Sequence, residues 1–284
     1  MSILNRSVAR LAVFAVMGTL VLTTLAASAP RAFAQTNNEG SPQAQAILRH
    51  TPRGSVTLKW QERTENLTVT IRLFGLAANS THPAHIHLGD CDDNGPILYP
   101  LNNVVADAAG DASVTTVIPE VEDGIPTSGW YVNVHNGPGL STPTQFDPIA
   151  CGNVVNPNAS SHEDQMVKVF LGATTAPNQA AFGSAQLRIS GDDLIVKVVV
   201  HNLVPGSSHA AHIHVGSCES QLPGNVLYPL NPVVGDANGT GVSVTVIEGV
   251  TSIPEDAWYV NVHRSTDLST QTGFDPIACG DVEN

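Results

Sequence analysis

A histidine pattern that could bind a metal ion occurs twice in the sequence. The first copy reads His-Pro-Ala-His-Ile-His at residues 82–87, and the second reads His-Ala-Ala-His-Ile-His at 209–214. Each is followed by Trp-Tyr-Val-Asn-Val-His, which ends at His135 or at His263, so these two constellations hold eight of the eleven histidines. Imidazole nitrogens suit copper, zinc, iron and nickel, and the affinity order of the divalent ions favours copper. Each constellation is therefore a candidate metal site, with copper the expected ion.

Period-two alternation predicts the strands that must position these side chains. On a strand, His85 and His87 share one face, with Cα atoms about 7 Å apart, while Ile86 points into the core. In the Trp-Tyr-Val-Asn-Val-His run, Asn133 lies on the same face as His135. A third histidine from a neighbouring strand can complete a three-nitrogen site with an open position. The absence of cysteine or methionine ligands argues against a blue-copper centre.

The remaining histidines are predicted to have other roles. His82 and His209, three residues before each pair, are interpreted as structural or second-shell groups that hydrogen-bond loop carbonyls. His50, His162 and His201 have no partners in the pattern and are interpreted as surface or strand residues. The alternative for the whole set is a polar strand face without metal, which the recurrence of the full set in both halves disfavours.

Length and composition predict an all-β protein of two domains. The chain has 284 residues, with 24 glycines, 19 prolines and 5% aromatic residues, and it shows short runs rich in valine and threonine. It is long enough for two domains that each bury a core. The formal net charge of -13 argues against nucleic acid and against anionic membranes as partners. A metal ion or a small molecule is the expected ligand.

The N-terminal segment is predicted to be an export signal. Two arginines precede an apolar run at 11–25, and a small-x-small cleavage site follows at 32–34, with a second possible site at 27–29. An uncleaved anchor is the alternative. No other apolar run approaches the roughly 18 residues of a membrane span. Removal of 1–34 deletes three arginines and no acids, which takes the charge from -13 to -16. We expect a secreted protein, periplasmic or extracellular, without membrane contact after cleavage.

Cysteine spacing and internal repetition predict the domain organisation. Four cysteines in an exported chain suggest two disulfides, and the repeat selects the pairings Cys91–Cys151 and Cys218–Cys279. The copies are offset by 127 residues at the histidines and by 128 at the last cysteine, which indicates tandem duplication. The expected segments are a signal peptide at 1–34, a disordered leader at 35–43, a first β-domain at 44–155, a linker at 156–165 and a second β-domain at 166–284.

These motifs resemble the copper/zinc superoxide dismutase superfamily, whose fold is a Greek-key β-barrel or sandwich. The His-x-x-His-x-His stretch followed by Gly and Cys looks like that family's first copper strand and disulfide loop, and Val-His followed by Ala-Cys-Gly looks like its last copper ligand and second disulfide cysteine. The Trp-Tyr-Val-Asn-Val-His wording is also typical of CHRD (chordin-type) domains, which are related in fold. The resemblance implies two such domains with copper ligands at His85, His87, His135, His212, His214 and His263.

The sequence also departs from the dismutase pattern. No histidine lies between Cys91 and Asp107, where the family has its zinc loop, or in the matching part of the second copy. Zinc is therefore not expected, and a copper site would have three protein ligands. Where the family has an anion-guiding arginine, this chain has Pro148 and Pro276, and Arg264 is the one cation next to a proposed ligand.

Three functions follow from these observations. The first is a secreted copper-only dismutase-like protein that converts superoxide. The second is a non-catalytic copper-binding protein outside the cytoplasm, and the third is a metal-free CHRD-type structural or interaction module. An acidic surface and the missing guiding arginine would slow the capture of an anionic substrate, which counts against the first.

Overall fold

The computed structural model describes residues 43–93, 95–221 and 225–284. The predicted signal peptide at 1–34 and the leader up to residue 42 lie outside these ranges. Within the described ranges, no helix is both long and apolar enough to cross a membrane.

The regular secondary structure of the described residues is almost all β-strand, as the turn-rich composition predicted. The first ten strands are β1 Ala44–His50, β2 Arg53–Gln61, β3 Asn66–Phe74, β4 Thr81–His82, β5 Ala84–Leu88, β6 Ile97–Pro100, β7 Val104–Val105, β8 Ala112–Ile118, β9 Trp130–His135 and β10 Pro148–Val154. The next eight are β11 Gln165–Leu171, β12 Phe182–Ser190, β13 Asp193–His201, β14 Ser208–Val215, β15 Val226–Val234, β16 Gly241–Glu248, β17 Trp258–His263 and β18 Pro276–Glu283. The α-helices are short, α1 at Pro143–Phe146 and α2 at Gln271–Phe274, and a 3₁₀ turn spans Glu62–Thr64.

Two β-lobes with matching strand orders make up the fold. In the second lobe, one eight-stranded sheet runs β15-β14-β17-β18-β1-β12-β13-β16. In the first lobe, two four-stranded sheets run β10-β9-β5-β6 and β11-β2-β3-β8. These two sheets meet where Cys151 and Gly172 exchange backbone hydrogen bonds of 3.1 Å. The predicted all-β, barrel-like class is confirmed, whereas tandem duplication of the sequence stays a prediction.

Each lobe is completed by a strand that the sequence had placed in the other one. Strand β1 pairs with β12 and β18, and β11 pairs along its length with β2. The inward faces follow the same exchange, since Ala46 and Leu48 pack in the second core while Val167 and Leu171 pack in the first. The structure therefore places these two strands differently from the predicted segments 44–155 and 166–284.

Both disulfides join the predicted pairs. Cys91 is bonded to Cys151, with Cα atoms 6.0 Å apart, and Cys218 is bonded to Cys279, with Cα atoms 5.8 Å apart. Each bridge ties the loop after the His-x-His strand to the strand that carries the second cysteine, β10 in the first lobe and β18 in the second. Two disulfides fit an oxidising compartment.

Candidate metal centre

Adjacent antiparallel strands place the three histidines of each copy on one face. In the first lobe, β5 pairs with β9, and the register sets His85 opposite Asn133 and His87 opposite Tyr131. His135 ends β9, where its backbone N–H donates to the carbonyl of Pro83 (2.9 Å). Side chains two residues apart on a strand point the same way, so the rings of β5 and β9 meet over this face. In the second lobe, β14 and β17 repeat the arrangement.

The predicted ligands converge in both lobes. One ring nitrogen from each of His85, His87 and His135 lies within 4.8 Å of the other two. The ring centroids are 5.1 to 6.0 Å apart, and all three residues are buried. The second trio shares the 4.8 Å limit and has centroid separations of 5.1 to 6.3 Å. We call these two clusters the first centre (His85, His87 and His135) and the second centre (His212, His214 and His263).

Backbone carbonyls fix which nitrogen of each ring faces the centre. Nδ1 of His87 donates to the carbonyl of Gly95 (2.9 Å), and Nδ1 of His135 donates to the carbonyl of Phe146 (2.5 Å). Since a carbonyl oxygen only accepts, each Nδ1 carries the hydrogen and each Nε2 keeps its lone pair. Those two Nε2 atoms and Nδ1 of His85 are buried and make no hydrogen bond. Three buried ring nitrogens without hydrogen-bond partners therefore lie within 4.8 Å of one another.

The second centre uses the same orientation. Nδ1 of His263 donates to the carbonyl of Phe274 (2.5 Å). Nε2 of His263 and Nδ1 of His212 are both buried and make no hydrogen bond. The acceptor carbonyls of Phe146 and Phe274 were missed in the sequence analysis. The signal was available, because both copies contain Phe-Asp-Pro-Ile-Ala-Cys-Gly at the same distance after the last histidine.

Burial lowers the pKa of several imidazoles in the two centres. The pKa of His85 is lowered to about 4, mainly by burial and also by the neighbouring rings of His135 and His87. Burial likewise lowers the pKa of His212 and of His263 to about 4, and it lowers the pKa of His135. Neutral imidazole is the form that ligates metals. A proton is therefore a weak competitor for these nitrogens at neutral pH.

An aromatic ring supports the middle histidine of each centre. His87 stacks on Tyr131, with centroids 4.9 Å apart and an interplanar angle of 18°, and His214 stacks on Tyr259 at 4.9 Å and 14°. The Tyr131 hydroxyl accepts from the backbone N–H of Gly95 (3.1 Å). One tyrosine thus contacts the His87 ring and also holds the loop whose carbonyl orients that ring.

His82 and His209 lie behind the centres, not in them. Nδ1 of His82 donates to the carbonyl of His135 (2.9 Å), and its Nε2 lies 2.8 Å from Oγ of Ser80. Nδ1 of His209 contacts the carbonyl of His263 in the same way (2.9 Å). Burial lowers the pKa of His82 to about 4. These hydrogen bonds hold the backbone of His135 in the first lobe and of His263 in the second.

The remaining histidines lie apart from both clusters. His50 ends strand β1, in line with its interpretation as a surface or strand residue, and its Nε2 lies 2.9 Å from the carbonyl of Ile149. Because β1 lies in the second lobe and Ile149 in the first, this contact crosses between the lobes. His201 contacts Thr240 and the ring of Phe182, and His162 is exposed.

The cation beside the second centre is already engaged. Arg264 forms an ion pair with Asp147 of the first lobe, and its side chain is 9% exposed. The guanidinium therefore does not face solvent as a guide for small anions would have to.

The residues present fit a metal ion. Three buried imidazole nitrogens without hydrogen-bond partners are a donor set that copper, zinc, iron and nickel accept. Second-shell hydrogen bonds to the carbonyls of Gly95 and Phe146 hold two of the three rings, as in metal sites generally.

Comparison with known proteins finds a similarity to one domain family over part of the chain. Residues 34–138 match the sequence model of the CHRD domain, a segment that includes all three histidines of the first centre. The match covers a little over a third of the chain and ends before Cys151 and the second lobe. A search of curated proteins finds no significant match. The CHRD part of the sequence resemblance is thereby supported.

Proposed function

We propose that this protein is a CHRD-type module, exported from the cytoplasm, that binds one copper ion at the three-histidine centre of each lobe without turning over superoxide. One observation carries the proposal. In the first centre, three buried imidazole nitrogens converge within 4.8 Å and none has a hydrogen-bond partner. The second centre repeats the convergence within the same limit.

Unpaired acceptors in a protein interior require an explanation. A buried nitrogen that makes no hydrogen bond costs about 1 to 3 kcal/mol. His87 and His135 already donate their one hydrogen to carbonyls, so neither can donate to the other. A bridging cation would satisfy all three lone pairs at once. The arrangement therefore favours a bound metal over a hydrogen-bonded histidine network.

The surroundings do not favour catalysis on superoxide. A capture site for an anion needs a nearby exposed cation, and the first centre has Asn136 where the second has Arg264. Arg264 itself is paired with Asp147. With a formal charge near -16 after export, the protein as a whole repels anions.

A metal-free structural or interaction module is the second candidate, and the CHRD match favours it. In that case the centres would stay empty of metal in the purified protein. Binding partners would then be sought among other macromolecules outside the cell.

Metal analysis decides between these functions. Protein prepared without added copper would be titrated with Cu(II) against a competing chelator, and bound metal counted by mass spectrometry. We expect two copper ions per chain, and one in either His135→Ala or His263→Ala. His201→Ala, which removes a histidine outside both centres, should still bind two. Failure to bind copper, or an unchanged count in both ligand variants, would sink the proposal. Superoxide decay faster than in copper-free controls would restore the dismutase hypothesis.

A further inference from the structure

The second lobe reaches across to the backbone that holds His135. The side chain of Gln271, in α2, accepts from the N–H of Thr81 (3.1 Å) and donates to the carbonyl of the same residue (2.9 Å). Its Nε2 also lies within hydrogen-bond distance of the carbonyls of Asn136 (3.2 Å) and Gly137 (2.6 Å). One side chain thus clamps two segments of the first lobe.

Both clamped segments adjoin the third ligand of the first centre. Asn136 follows His135 directly in the chain. Thr81 precedes His82, whose ring donates to the carbonyl of His135. Gln271 therefore fixes the backbone immediately after His135 and the strand behind it.

The ion pair between Arg264 and Asp147 supports the other side of His135. Asp147, paired with Arg264, follows Phe146, whose carbonyl accepts from Nδ1 of His135. The carbonyl of Asp147 also accepts from the N–H of Asn136 (2.9 Å). Contacts from the second lobe thus reach both the backbone of His135 and the loop that orients its ring.

The first lobe has no side chain that makes the equivalent of the Gln271 contact. The position that matches Gln271 is Pro143 at the start of α1, whose side chain neither donates nor accepts hydrogen bonds. The position that matches Arg264 is Asn136, whose side chain donates within its own lobe, to the carbonyl of Thr144 (3.2 Å). The two copies thus differ at the positions that bridge the lobes.

We propose that Gln271 is a positioning residue for the first centre, so that the second lobe completes the metal site of the first. This rests on the proposed function. The three lone pairs can bind one ion only while Nε2 of His135 stays in place relative to β5. Loss of a hydrogen bond to a ligand ring costs about 10- to 100-fold in metal affinity, and Gln271, which acts through the backbone beside His135, should fall toward the lower end of that range.

The test uses the full chain with the second centre disabled. In a His263→Ala parent, only the first centre can bind copper, so any effect of Gln271 on the second centre drops out. Gln271→Ala removes the clamp, and Gln271→Pro installs the residue that α1 carries at this position. Gln186→Ala, an exposed glutamine on β12 of the same lobe, is the matched control.

Two measurements are needed, the Cu(II) dissociation constant and the electron paramagnetic resonance spectrum of the bound copper. We expect both Gln271 variants to raise the dissociation constant about 10-fold and to change the nitrogen couplings, while Gln186→Ala matches the parent. A role in stability alone would lower the melting temperature without changing the spectrum. An unchanged dissociation constant and spectrum would overturn the inference and leave the proposed function standing. A parent that binds no copper would overturn both.

Discussion

The ring of His87 lies almost parallel to the ring of Tyr131, and the hydroxyl of the same tyrosine holds the Gly95 loop that orients His87. The second lobe keeps the stacked pair in His214 and Tyr259. Stacking restricts the ring, and the hydroxyl restricts the loop, so the two contributions can be separated by substitution.

Substitution of Tyr131 should weaken copper binding at the first centre in two steps. Tyr131→Phe keeps the stacking and loses one hydrogen bond, so we expect a loss of about 1 kcal/mol, or roughly fivefold in the dissociation constant. Tyr131→Ala loses both and should bind more weakly still. Tyr99→Phe, on β6 against Trp130, is the control and should bind as the parent does. Equal affinity in all three variants would contradict this account of the tyrosine.

Acid should destabilise the protein through His50. Burial lowers the pKa of this residue from 6.5 to about 4, so between these values the unfolded chain binds a proton that the folded chain does not. Its contribution is therefore complete above pH 6.5 and is lost as the pH falls toward 4, at about 1.4 kcal/mol per unit and at most about 3 kcal/mol.

The comparison for His50 is His50→Gln, which keeps an amide donor for the carbonyl of Ile149 and does not titrate. Melting temperatures measured from pH 7 to pH 4 should fall less steeply in this variant than in the parent. His162→Gln, at an exposed position, should follow the parent. Parallel curves for parent and His50→Gln would show that His50 does not contribute.

Removal of the Cys91–Cys151 bridge should affect both stability and metal binding. The bridge closes a loop of 60 residues, so Cys91→Ala/Cys151→Ala should lower the free energy of unfolding by about 4 kcal/mol. It also anchors the loop that carries Gly95, so the first centre should lose copper affinity. Urea unfolding and copper titration measure the two effects. Cys218→Ala/Cys279→Ala should weaken the second centre instead, and a loss confined to the wrong centre would refute the link.

The exchange of β1 and β11 between the lobes predicts which lobe is destabilised by a core mutation in each of these strands. Leu48 is in β1 but packs in the second core, whereas Leu171 is in β11 but packs in the first. Each Leu→Ala change should cost about 2 to 5 kcal/mol. In hydrogen-exchange mass spectrometry, Leu48→Ala should speed exchange in β13 and Leu171→Ala in β3. The reverse assignment would mean that the strands are not exchanged in solution.

The site was predictable to a greater extent than the assembly of the lobes. Alternation places His85 and His87 on one face of β5 and His135 on one face of β9, and only the pairing of β5 with β9, which local pattern does not give, was needed to bring them together. The same alternation in β1 shows which face is buried but not which sheet receives it, since an antiparallel partner is chosen by register and connection. The segment after β1 is two residues long and the segment after β11 is ten. Neither length determines which sheet the strand joins.

The contacts between the lobes could not be predicted for a related reason. Gln271 and Arg264 depart from Pro143 and Asn136 of the first copy, and a single sequence gives no reason to read that difference as function. The functional role of this difference becomes apparent only from the contacts of Gln271 and Arg264 with the residues around His135. The carbonyl of Gly95 could not be predicted either, because a backbone group carries no sequence signature, whereas the repeated motif at Phe146 and Phe274 did mark the other loop.

Pairing between β1 and β18 joins the two ends of the folded chain, with Gln45 opposite Glu283. During synthesis the first lobe, formed by residues 53–171, can close while the ribosome is still adding the rest. The second lobe cannot be completed until β18 has been synthesised. Until then, β1 lacks one of the two strands with which it pairs. A chain that stops before β18 would therefore keep a complete first lobe and leave β1 without one of its two neighbouring strands.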